Sequence, residues 1–446
     1  MVTHIIKHSE PPAIVFIAGA VLCTLCYTTM AILSHGDSEI NLLLFLGLSA
    51  LCAIASAITV LVYQQHGRQI SFGWIIVSAI AFRTIGVFGQ PMLEDDFYRY
   101  LWDGYQMITG GNPYPLAPSA FFADTAVPAA LEEVLSRVNY PDVATVYGPV
   151  CQWLFAAAYL LDPGSIWPLQ IISALADIAI ILLLWSIRQN NFILLYAWSP
   201  LLIKEFAFTA HTDIIAVFFA IAALKCQKCN RPWLTGALLA MATGTKVFAL
   251  LLLPFLLFRR GNTRFLLYGL LGFAMVIGLI TWSFGTTLIW FPEGLKVMAN
   301  AWLFNAPVYL LLVNQLNFEL LKLLLLALFM IFAAGHFNNV NGFTKLTTND
   351  RVFRGDWLFG VFLLFLPVVN PWYLAWILPF AVITPSRWAW TASGCILLSY
   401  VSGTHVDSSS LGPHQIPASV LIFEYGLVAM ALLYDKVKPL CISTDR

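Results

Sequence analysis

Residues 42–63 read LLLFLGLSALCAIASAITVLVY, an apolar run that contains no charged side chain. A helix of about 20 apolar residues spans the hydrocarbon core of a bilayer, so this run predicts a transmembrane helix. The apolar run that precedes it, Ala13–Leu33, is too long for the core of a signal peptide and is followed by further spans. Because similar runs recur as far as residue 433, the sequence predicts a protein built from many membrane helices.

The composition of the whole chain supports this prediction. Of its 446 residues 60% are apolar and 10% are charged, whereas roughly 25% are charged in soluble globular proteins. The 23 basic residues balance the 23 acidic ones, so no net charge attracts nucleic acid, and we expect no nucleic-acid partner. The 15 Trp, 16 Tyr and 33 Phe are typical of a chain that meets many membrane–water interfaces. These numbers exclude a soluble enzyme and a disordered protein.

The order of apolar and polar stretches predicts an all-α polytopic membrane protein. We expect about 12 to 14 transmembrane helices and one large extracytoplasmic loop that carries short interfacial helices. We expect the chain to divide into N-terminal transmembrane helices at 1–89, an acidic extracytoplasmic loop with a candidate catalytic motif at 90–145, a core transmembrane module at 146–284, a second extracytoplasmic loop at 285–315, and C-terminal transmembrane helices at 316–446.

Short loops rich in Lys and Arg set the expected orientation, because such loops stay in the cytoplasm. They contain Lys225, Lys228 and Arg231; Arg259, Arg260 and Arg264; Lys345, Arg351 and Arg354; Arg387; and Lys436 and Lys438. With these loops inside, the segments 90–145, 199–213 and 404–414 and the turn near Asn370 lie outside. Arg188 fits this orientation only if the apolar stretch 146–161 does not cross the membrane.

The outer loop opens with the acidic sequence EDDFYRYLWDG at 94–104. Three adjacent carboxylates repel one another, so at least one pKa among Glu94, Asp95 and Asp96 should rise. A carboxylate tuned in this way is suited to act as a general base. The alternative is a solvated, acidic helix start. Four polar residues share one helical face by their spacing of i, i+3, i+4 and i+7: Asp96, Arg99, Tyr100 and Asp103.

A second polar segment interrupts the apolar runs near residue 200. It contains four ionisable side chains within ten residues: Lys204, Glu205, His211 and Asp213. Burial of such groups costs several kcal/mol unless they pair with each other or line a wet cavity. We therefore expect a polar site here, with simple pairing between helices as the alternative for Lys204 and Glu205.

Lys246 lies inside the apolar run from 232 to 258. If Gly244 breaks this run into two short spans, Lys246 lies at the outer surface and can hold an anionic group such as phosphate. The alternative is a lysine that extends along one continuous helix to reach water. Three turn motifs accompany it at the ends of apolar runs: Asn112-Pro113-Tyr114, Tyr147-Gly148-Pro149 and Asn370-Pro371-Trp372-Tyr373.

Taken together, these motifs resemble the polytopic GT-C glycosyltransferases. They are most similar to bacterial mannosyltransferases that use polyprenyl-phosphate mannose. The resemblance lies in 94–104 with 111–114 (the first outer loop), 147–149 (a Tyr-x-Pro helix entry), 199–213 (an Asn-Pro-Leu…Glu…His-x-Asp segment), 245–246 and 370–373. It covers about residues 80 to 385. Two departures are Ser199 in place of the usual asparagine, and Gly148 between Tyr147 and Pro149.

The resemblance implies a GT-C-like fold in the plasma membrane of a bacterium, with its active site on the extracytoplasmic side. It implies transfer of a hexose, expected to be mannose, from a polyprenyl-phosphate donor to a glycan or glycolipid acceptor with inversion. Asp95 or Asp96, next to Glu94, would deprotonate the acceptor hydroxyl. The substrate-binding residues would be Arg99, Asp103, Asn112, Tyr114, Tyr147, Lys204, Glu205, His211, Asp213, Lys246, Asn370, Trp372 and Tyr373.

The resemblance leaves the metal requirement open, because some relatives need a divalent cation and others do not. Membrane lipids are the remaining expected partners. Two other functions suit the same residues. A transporter or flippase of lipids or sugars would place its essential charges near the middle of the bilayer. An oligosaccharide ligase would use a pyrophosphate-linked donor on the same side of the membrane.

Overall fold

The computed structural model describes residues 12–36, 40–285, 302–313, 315–341, 353–402 and 415–437, together with residues 294 and 296. Helices dominate these ranges, and the only pairing of extended backbone within them is a parallel bridge between Phe304 and Val368. The predicted all-α polytopic class is confirmed. Several features expected from the sequence lie outside the described residues: Lys345, Arg351, Lys438, the segment 404–414 and, in the loop 285–315, residues 286–293, 295, 297–301 and 314.

The α-helices follow the chain in this order: α1 (Pro12–Leu33), α2 (Leu42–Gln65), α3 (Phe72–Val87), α4 (Asp96–Ile108), α5 (Ala129–Ser136), α6 (Pro149–Leu161), α7 (Trp167–Ile187), α8 (Ile193–Ala197), α9 (Pro200–Leu202), α10 (Asp213–Lys228), α11 (Pro232–Thr245), α12 (Leu253–Leu257), α13 (Thr263–Phe284), α14 (Pro307–Leu312), α15 (Phe318–Asn341), α16 (Gly355–Leu364), α17 (Leu378–Ile383), α18 (Arg387–Cys395) and α19 (Ala418–Val437). Between them lie a π-helical turn at Ile203–Phe208 and 3₁₀ turns at Pro118–Phe121, Val247–Leu252, Pro371–Trp376 and Ile396–Val401.

Six helices in the described ranges are long and apolar enough to cross a membrane, namely α1, α2, α7, α13, α15 and α19. The segment Ile193–Phe208 and α10 together have the same character, although they are bent by 117° at the break between them. Other apolar runs form shorter helices, such as α3, α6 and α16. The expected figure of about 12 to 14 spans counted such shorter runs as well, so it stays a prediction.

The chain runs back and forth between two ends of the helical bundle. The helix α3 starts after Arg68 and ends before Glu94, whereas α10 starts at Asp213 and ends at Lys228. The helix α11 then returns and ends just before Lys246. Acidic residues and Lys246 therefore meet at one end of the bundle, opposite a basic end.

At the basic end, side chains of the loops form hydrogen bonds with neighbouring loops. The side chains of this end donate to neighbouring segments in a continuous series: Asn191 to the Arg68 carbonyl (2.8 Å), Arg188 to the Ile383 carbonyl (2.9 Å), Lys225 to the Ser186 carbonyl (2.8 Å), Arg259 to Asn230 (3.0 Å), and Arg387 to Asp435 (2.9 Å). Turns that are far apart in sequence thus lie side by side.

The apolar stretch 146–161 does not cross between the two ends. It forms α6, whose residues Cys151, Phe155 and Ala158 belong to one apolar cluster with Ile166 and Leu169 at the start of α7. Both ends of α6 therefore lie near the acidic end of the bundle. Because the stretch 146–161 does not cross the bundle, Arg188 lies at the same end as the other cations, as the predicted orientation requires.

The outer loop folds back over its own helix. Leu101, Trp102 and Tyr105 of α4 pack against Leu131 and Val134 of α5. These side chains are buried. The 3.6-residue period of α4 is consistent with a face resting in the lipid interface, but α5 covers that face instead. The helices α4 and α5 thus pack together as a helical layer beside the acidic end of the bundle.

An ion pair inside the apolar core holds the helices that lead to this end. Arg83 on α3 and Asp177 on α7 lie 2.8 Å apart, and both side chains are almost fully buried. Tyr196 donates to the second oxygen of Asp177 (2.7 Å), and Arg83 donates to the carbonyl of Ala197 (2.6 Å). The pair thus has the additional hydrogen bonds that a buried ion pair requires, and it fixes α8 between α3 and α7.

The helices α11 and α13 touch through glycine. A Cβ added at Gly236 would overlap the carbonyl oxygen of Gly269, so Gly236→Ala should force the helices apart at a cost of about 1–3 kcal/mol. We expect a lower thermal unfolding midpoint for this variant in detergent. Gly278→Ala is the control, since its Cβ would meet open space and Ala is the better helix former. Equal midpoints in the two variants would contradict this close contact.

Candidate active site

Most of the predicted functional residues line one cavity of about 250 Å³ at the acidic end of the bundle. We call it the central cavity. Its lining comes from the start of α4, the segment 139–147, the start of α10, the end of α11, and the turns near 304, 372 and 400. The predicted site residues that line it are Glu94, Asp95, Asp96, Arg99, Tyr147, His211, Asp213, Lys246, Asn370, Trp372 and Tyr373.

Asn139 holds two of the loop carboxylates side by side. Its amide donates to Asp95 (2.8 Å) and to Asp96 (3.1 Å), and the hydroxyl of Tyr147 donates to the other oxygen of Asp96 (3.2 Å). Asp95 occupies the N-cap position of α4, but its side chain makes no capping hydrogen bond. An N-cap aspartate normally bonds the helix backbone, whereas the side chain of Asp95 accepts from Asn139 instead.

Burial tunes the acids of the triplet. It raises the pKa of Asp95, and the hydrogen bond from Asn139 offsets part of this increase. Burial also raises the pKa of Glu94 well above its usual range, while the positive charge of Lys204 opposes the increase. The sequence predicted a raised pKa from repulsion between neighbours. In the structure the largest cause is desolvation, which disfavours the charged form of a carboxyl group.

Lys204 and Glu205 do not line the central cavity themselves. They lie on the π-helical turn, fully buried, with their charged groups 3.3 Å apart. Both contact the hydroxyl of Tyr400, which receives a hydrogen bond from Lys204 and donates one to Glu205. Tyr400 does line the cavity. Single π-helical turns occur often at functional sites. This one places a buried ion pair directly behind Tyr400 of the cavity wall.

His211 lies between this ion pair and Tyr100 of α4. Its Nδ1 lies 2.9 Å from the hydroxyl of Tyr100, and its Nε2 lies 3.3 Å from a carboxylate oxygen of Glu205. The imidazole ring also stacks on Trp372, with ring centroids 3.8 Å apart and planes at 15°. The Tyr100 contact and the Trp372 stacking therefore hold the ring, which suits a wall that orients a substrate. Its Nε2 makes no hydrogen bond within the described residues.

Lys246 provides a cation to the wall of the central cavity. The helix α11 ends at Thr245 and a 3₁₀ turn begins at Val247, so the expected break in the apolar run is present. The ammonium group lies 3.2 Å from Asp213 and 4.5 Å from the centre of the Tyr373 ring. Its side chain keeps 24% of its surface exposed. Lys246 can therefore accept a further anionic partner from the cavity.

Asp103 stabilises the outer loop and does not line the central cavity. It is buried and forms an ion pair with Arg99 at 2.9 Å. It also accepts hydrogen bonds from Thr145 (2.5 Å) and Gln152 (2.9 Å). Arg99 in turn donates to the carbonyl of Val143 (2.8 Å). This set anchors the segment 143–147, which carries Tyr147, against α4.

Asn112 and Tyr114 also lie away from the central cavity. The side chain of Asn112 accepts a hydrogen bond from the Tyr114 backbone (3.1 Å), a local arrangement that is typical of a turn. The ring of Tyr114 is buried near Phe284, with centroids 6.1 Å apart. Their predicted roles in substrate binding stay predictions.

Both departures from the family pattern have a structural role. A Cβ added at Gly148 would overlap the carbonyl oxygen of Gly244, so glycine lets the start of α6 touch the end of α11 next to Lys246. Ser199 accepts a hydrogen bond from the backbone N–H of Leu202 (3.4 Å). Serine and asparagine are both strong N-cap residues, so Ser199 can cap the helix in place of the usual asparagine.

The backbone around the cavity adopts unusual conformations. Four residues other than glycine have positive φ angles: Leu93 (58°), Tyr140 (47°), Ala210 (61°) and Asn305 (48°). Each is adjacent in sequence to a residue of the cavity lining. Such conformations cost about 1–3 kcal/mol each and persist where the surrounding structure holds them, often at functional sites. The turns that present the cavity residues are therefore held firmly by their surroundings.

Sequence reasoning missed three residues of the site. Asn139 and Tyr400 reach their partners Asp96 and Glu205 from 43 and 195 positions away, and no local pattern announces them. Trp376 donates to the second oxygen of Asp213 (3.0 Å). A fourth missed residue is Tyr100, which lines the cavity; its spacing on the helical face of Asp96 is a signal that could have identified it.

Within the described residues, no group of three or more His, Cys, Asp and Glu side chains is arranged to hold a metal ion. The triplet carboxylates instead contact Asn139 and Tyr147. A bridging divalent cation stays an untested prediction.

Residues 15–260 match the family model described as alpha-(1->6)-mannopyranosyltransferase, N-terminal domain. The match covers more than half of the chain and includes the acidic loop, the π-helical turn and Lys246. The chain belongs to this family of mannosyltransferases. No curated protein and no solved structure matches the chain significantly.

Membership of the family confirms the GT-C-like mannosyltransferase resemblance. The protein is thus a multi-pass membrane glycosyltransferase that acts in mannosyl transfer and takes a sugar donor and a glycan acceptor in the general sense. The Trp372–Tyr373 wall and Tyr400 lie beyond the matched region. The central cavity therefore combines residues of the matched region with later ones.

Replacement of Asn139 should change the pH dependence of kcat/KM of the mannosyltransferase. The amide of Asn139 lowers the pKa of Asp95, so Asn139→Ala should raise it further. A general base acts only when ionised, so the acidic limb of the kcat/KM profile should move to higher pH. Ser136→Ala is the control, because the Ser136 hydroxyl donates to Glu133 within α5. An unshifted acidic limb in Asn139→Ala would show that Asp95 is not the titrating base.

Proposed function

We propose that this mannosyltransferase moves mannose from a polyprenyl-phosphate donor to a hydroxyl group of a glycan or glycolipid acceptor, with inversion. One observation carries the proposal. The carboxylates of Asp95 and Asp96 and the ammonium of Lys246 face the same cavity, at the end of a bundle of apolar helices. A lipid-linked donor needs this combination, because its tail belongs in the bilayer while its phosphate needs a cation near the base.

The reaction divides between the two walls of the cavity. Asp95 or Asp96 takes the proton of the acceptor hydroxyl, and the oxygen attacks the anomeric carbon from the side opposite the phosphate. The bond between this carbon and the phosphate oxygen breaks, and its electrons stay on the phosphate. Lys246 stabilises that negative charge. The transition state has oxocarbenium character, as in other glycosyl chemistry.

The cavity residues other than the base have positioning roles. His211 is held by its hydrogen bond with Tyr100 and by its stacking on Trp372. An immobile ring of this kind can orient a sugar at a small cost in entropy. Asp213 holds Lys246 through a 3.2 Å ion pair, so the ammonium is in place before the phosphate arrives.

We further propose that the cavity faces the extracytoplasmic side of a bacterial plasma membrane. The loops that carry Arg188, Lys225, Arg259 and Arg387 contact one another at the basic end. Loops rich in Lys and Arg stay in the cytoplasm. The central cavity lies at the other end of the same helices, which supports an outward orientation.

The charge distribution favours transfer over transport. A transporter would use ionisable groups near the bilayer midplane. Arg83 and Asp177 inside the bundle are instead paired with each other and almost fully buried. The lining of the central cavity contains Lys246 and the already paired Arg99 as its Lys and Arg side chains in the described residues. Lys246 is paired with Asp213 but keeps part of its side chain exposed, and one such ammonium suits a monophosphate better than the pyrophosphate of a ligase donor.

Single variants of the two acids test the proposal. With a synthetic polyprenyl-phosphate mannose as donor, Asp95→Asn or Asp96→Asn should reduce kcat by about 100-fold or more, since a general base contributes at least this much. Asp124→Asn is the matched control, because Asp124 is an exposed acid of the same loop. Thermal midpoints should be equal in all three variants.

The alternatives predict different results. Wild-type turnover in both Asp95→Asn and Asp96→Asn would overturn the assignment of the base. Transfer from a pyrophosphate-linked donor but not from the monophosphate would indicate a ligase. Movement of a labelled lipid across vesicles without any sugar transfer would indicate a transporter.

A further inference from the structure

A second groove, of about 330 Å³, lies on the other side of the start of α4. We call it the outer groove. It is formed where α4, α5 and the start of α7 meet the chain that follows α3. The lining residues used below are Gln90, Phe97, Tyr98, Glu133, Trp167 and Gln170.

The outer groove and the central cavity share one wall. Asp95 and Asp96 line the central cavity, whereas the next two residues, Phe97 and Tyr98, line the outer groove. One turn of an α-helix is about 5.4 Å long. A chain molecule lying in the groove would therefore reach the proposed base within a short distance.

The groove combines aromatic faces with hydrogen-bonding groups. Trp167 exposes 43% of its surface, and the rings of Phe97 and Tyr98 lie 4.1 Å apart, next to each other along one wall. The indole N–H of Trp167 donates to Asp162 (2.6 Å), which fixes the ring. A pyranose presents a flat face of C–H groups and an edge of hydroxyls, so it can pack on such rings and hydrogen bond to their polar neighbours.

The charge of the groove argues against a phosphate as its occupant. Its lining in the described part of the chain includes Glu133 and no Lys or Arg. The nearby cation Arg137 already pairs with Glu133 (2.9 Å) and donates to the Tyr98 hydroxyl (2.9 Å). Among the described residues the groove therefore offers no unpaired cation to an anionic headgroup, whereas a neutral sugar needs none.

We propose that the outer groove binds the non-reacting sugars of the acceptor glycan, and that the enzyme prefers an acceptor with several sugars. This inference rests on the proposed function, because it assigns the central cavity to the donor and to the reacting hydroxyl. The acceptor chain lies across Phe97 and Trp167, and its terminal hydroxyl reaches Asp95 and Asp96.

The test compares a monosaccharide acceptor with a longer mannose oligosaccharide. Trp167→Ala should raise KM for the oligosaccharide about tenfold, consistent with the loss of one aromatic contact, and leave KM for the monosaccharide and for the donor unchanged. Trp167→Phe keeps a ring and should recover most of the affinity. Trp233→Ala is the matched control, since Trp233 is 42% exposed at the start of α11.

A second variant and a second measurement keep the test independent of folding and of transfer. Gln90→Ala should also raise KM for the oligosaccharide alone. Calorimetric titration of the oligosaccharide into the detergent-solubilised full chain should show binding that Trp167→Ala weakens, even if the donor assignment fails. Unchanged oligosaccharide binding in both variants would overturn the groove, and so would an equal rise in KM for both acceptors.

Discussion

The ion pair between Lys246 and Asp213 is the interaction on which the central cavity depends. It joins the end of α11 to the start of α10. The other ends of these two helices meet at the basic end. A lysine inside an apolar bundle is costly unless it is paired or reaches water. The break after Thr245 brings Lys246 to the end of its helix and meets both conditions. The same break leaves part of the ammonium open to the cavity.

The polar residues of the site lie where regular helix stops. The π-helical turn carries Lys204 and Glu205, the bend before α10 carries His211, and a 3₁₀ turn carries Trp372. Irregular backbone at membrane depth is tolerated only where it is buried in protein or lines a cavity. These breaks are therefore a consequence of the site, and their presence in long apolar runs marks its position. The left-handed residues Leu93 and Ala210 add to the same pattern.

The sequence predicted the features that depend on local composition and spacing. Apolar runs such as 42–63 identified the class of protein, and the helical face shared by Asp96 and Arg99 is present in α4. The break before Lys246 was also accessible, because a glycine and a lysine interrupted an apolar run. Each of these signals lies within a few residues of the feature that it predicts.

Features that depend on distant segments were not accessible in this way. The amide of Asn139 and the hydroxyl of Tyr400 approach from elsewhere in the chain. The packing of α5 over Leu101 and Trp102 was also not accessible, since an amphipathic helix has the same pattern whether protein or membrane covers it. Asp103 shares a face with Asp96 yet points to Thr145 and Gln152. Helical spacing indicates a shared face but not the partner that the face meets.

The most direct test of the account is an experimental structure with a polyprenyl-phosphate bound to the full chain. We expect the phosphate within hydrogen-bond distance of Lys246, the isoprenoid tail along the apolar helices, and the sugar-bearing side of the phosphate towards Asp95 and Asp96. A phosphate bound at the basic end, near Arg188 or Arg387, would contradict the account.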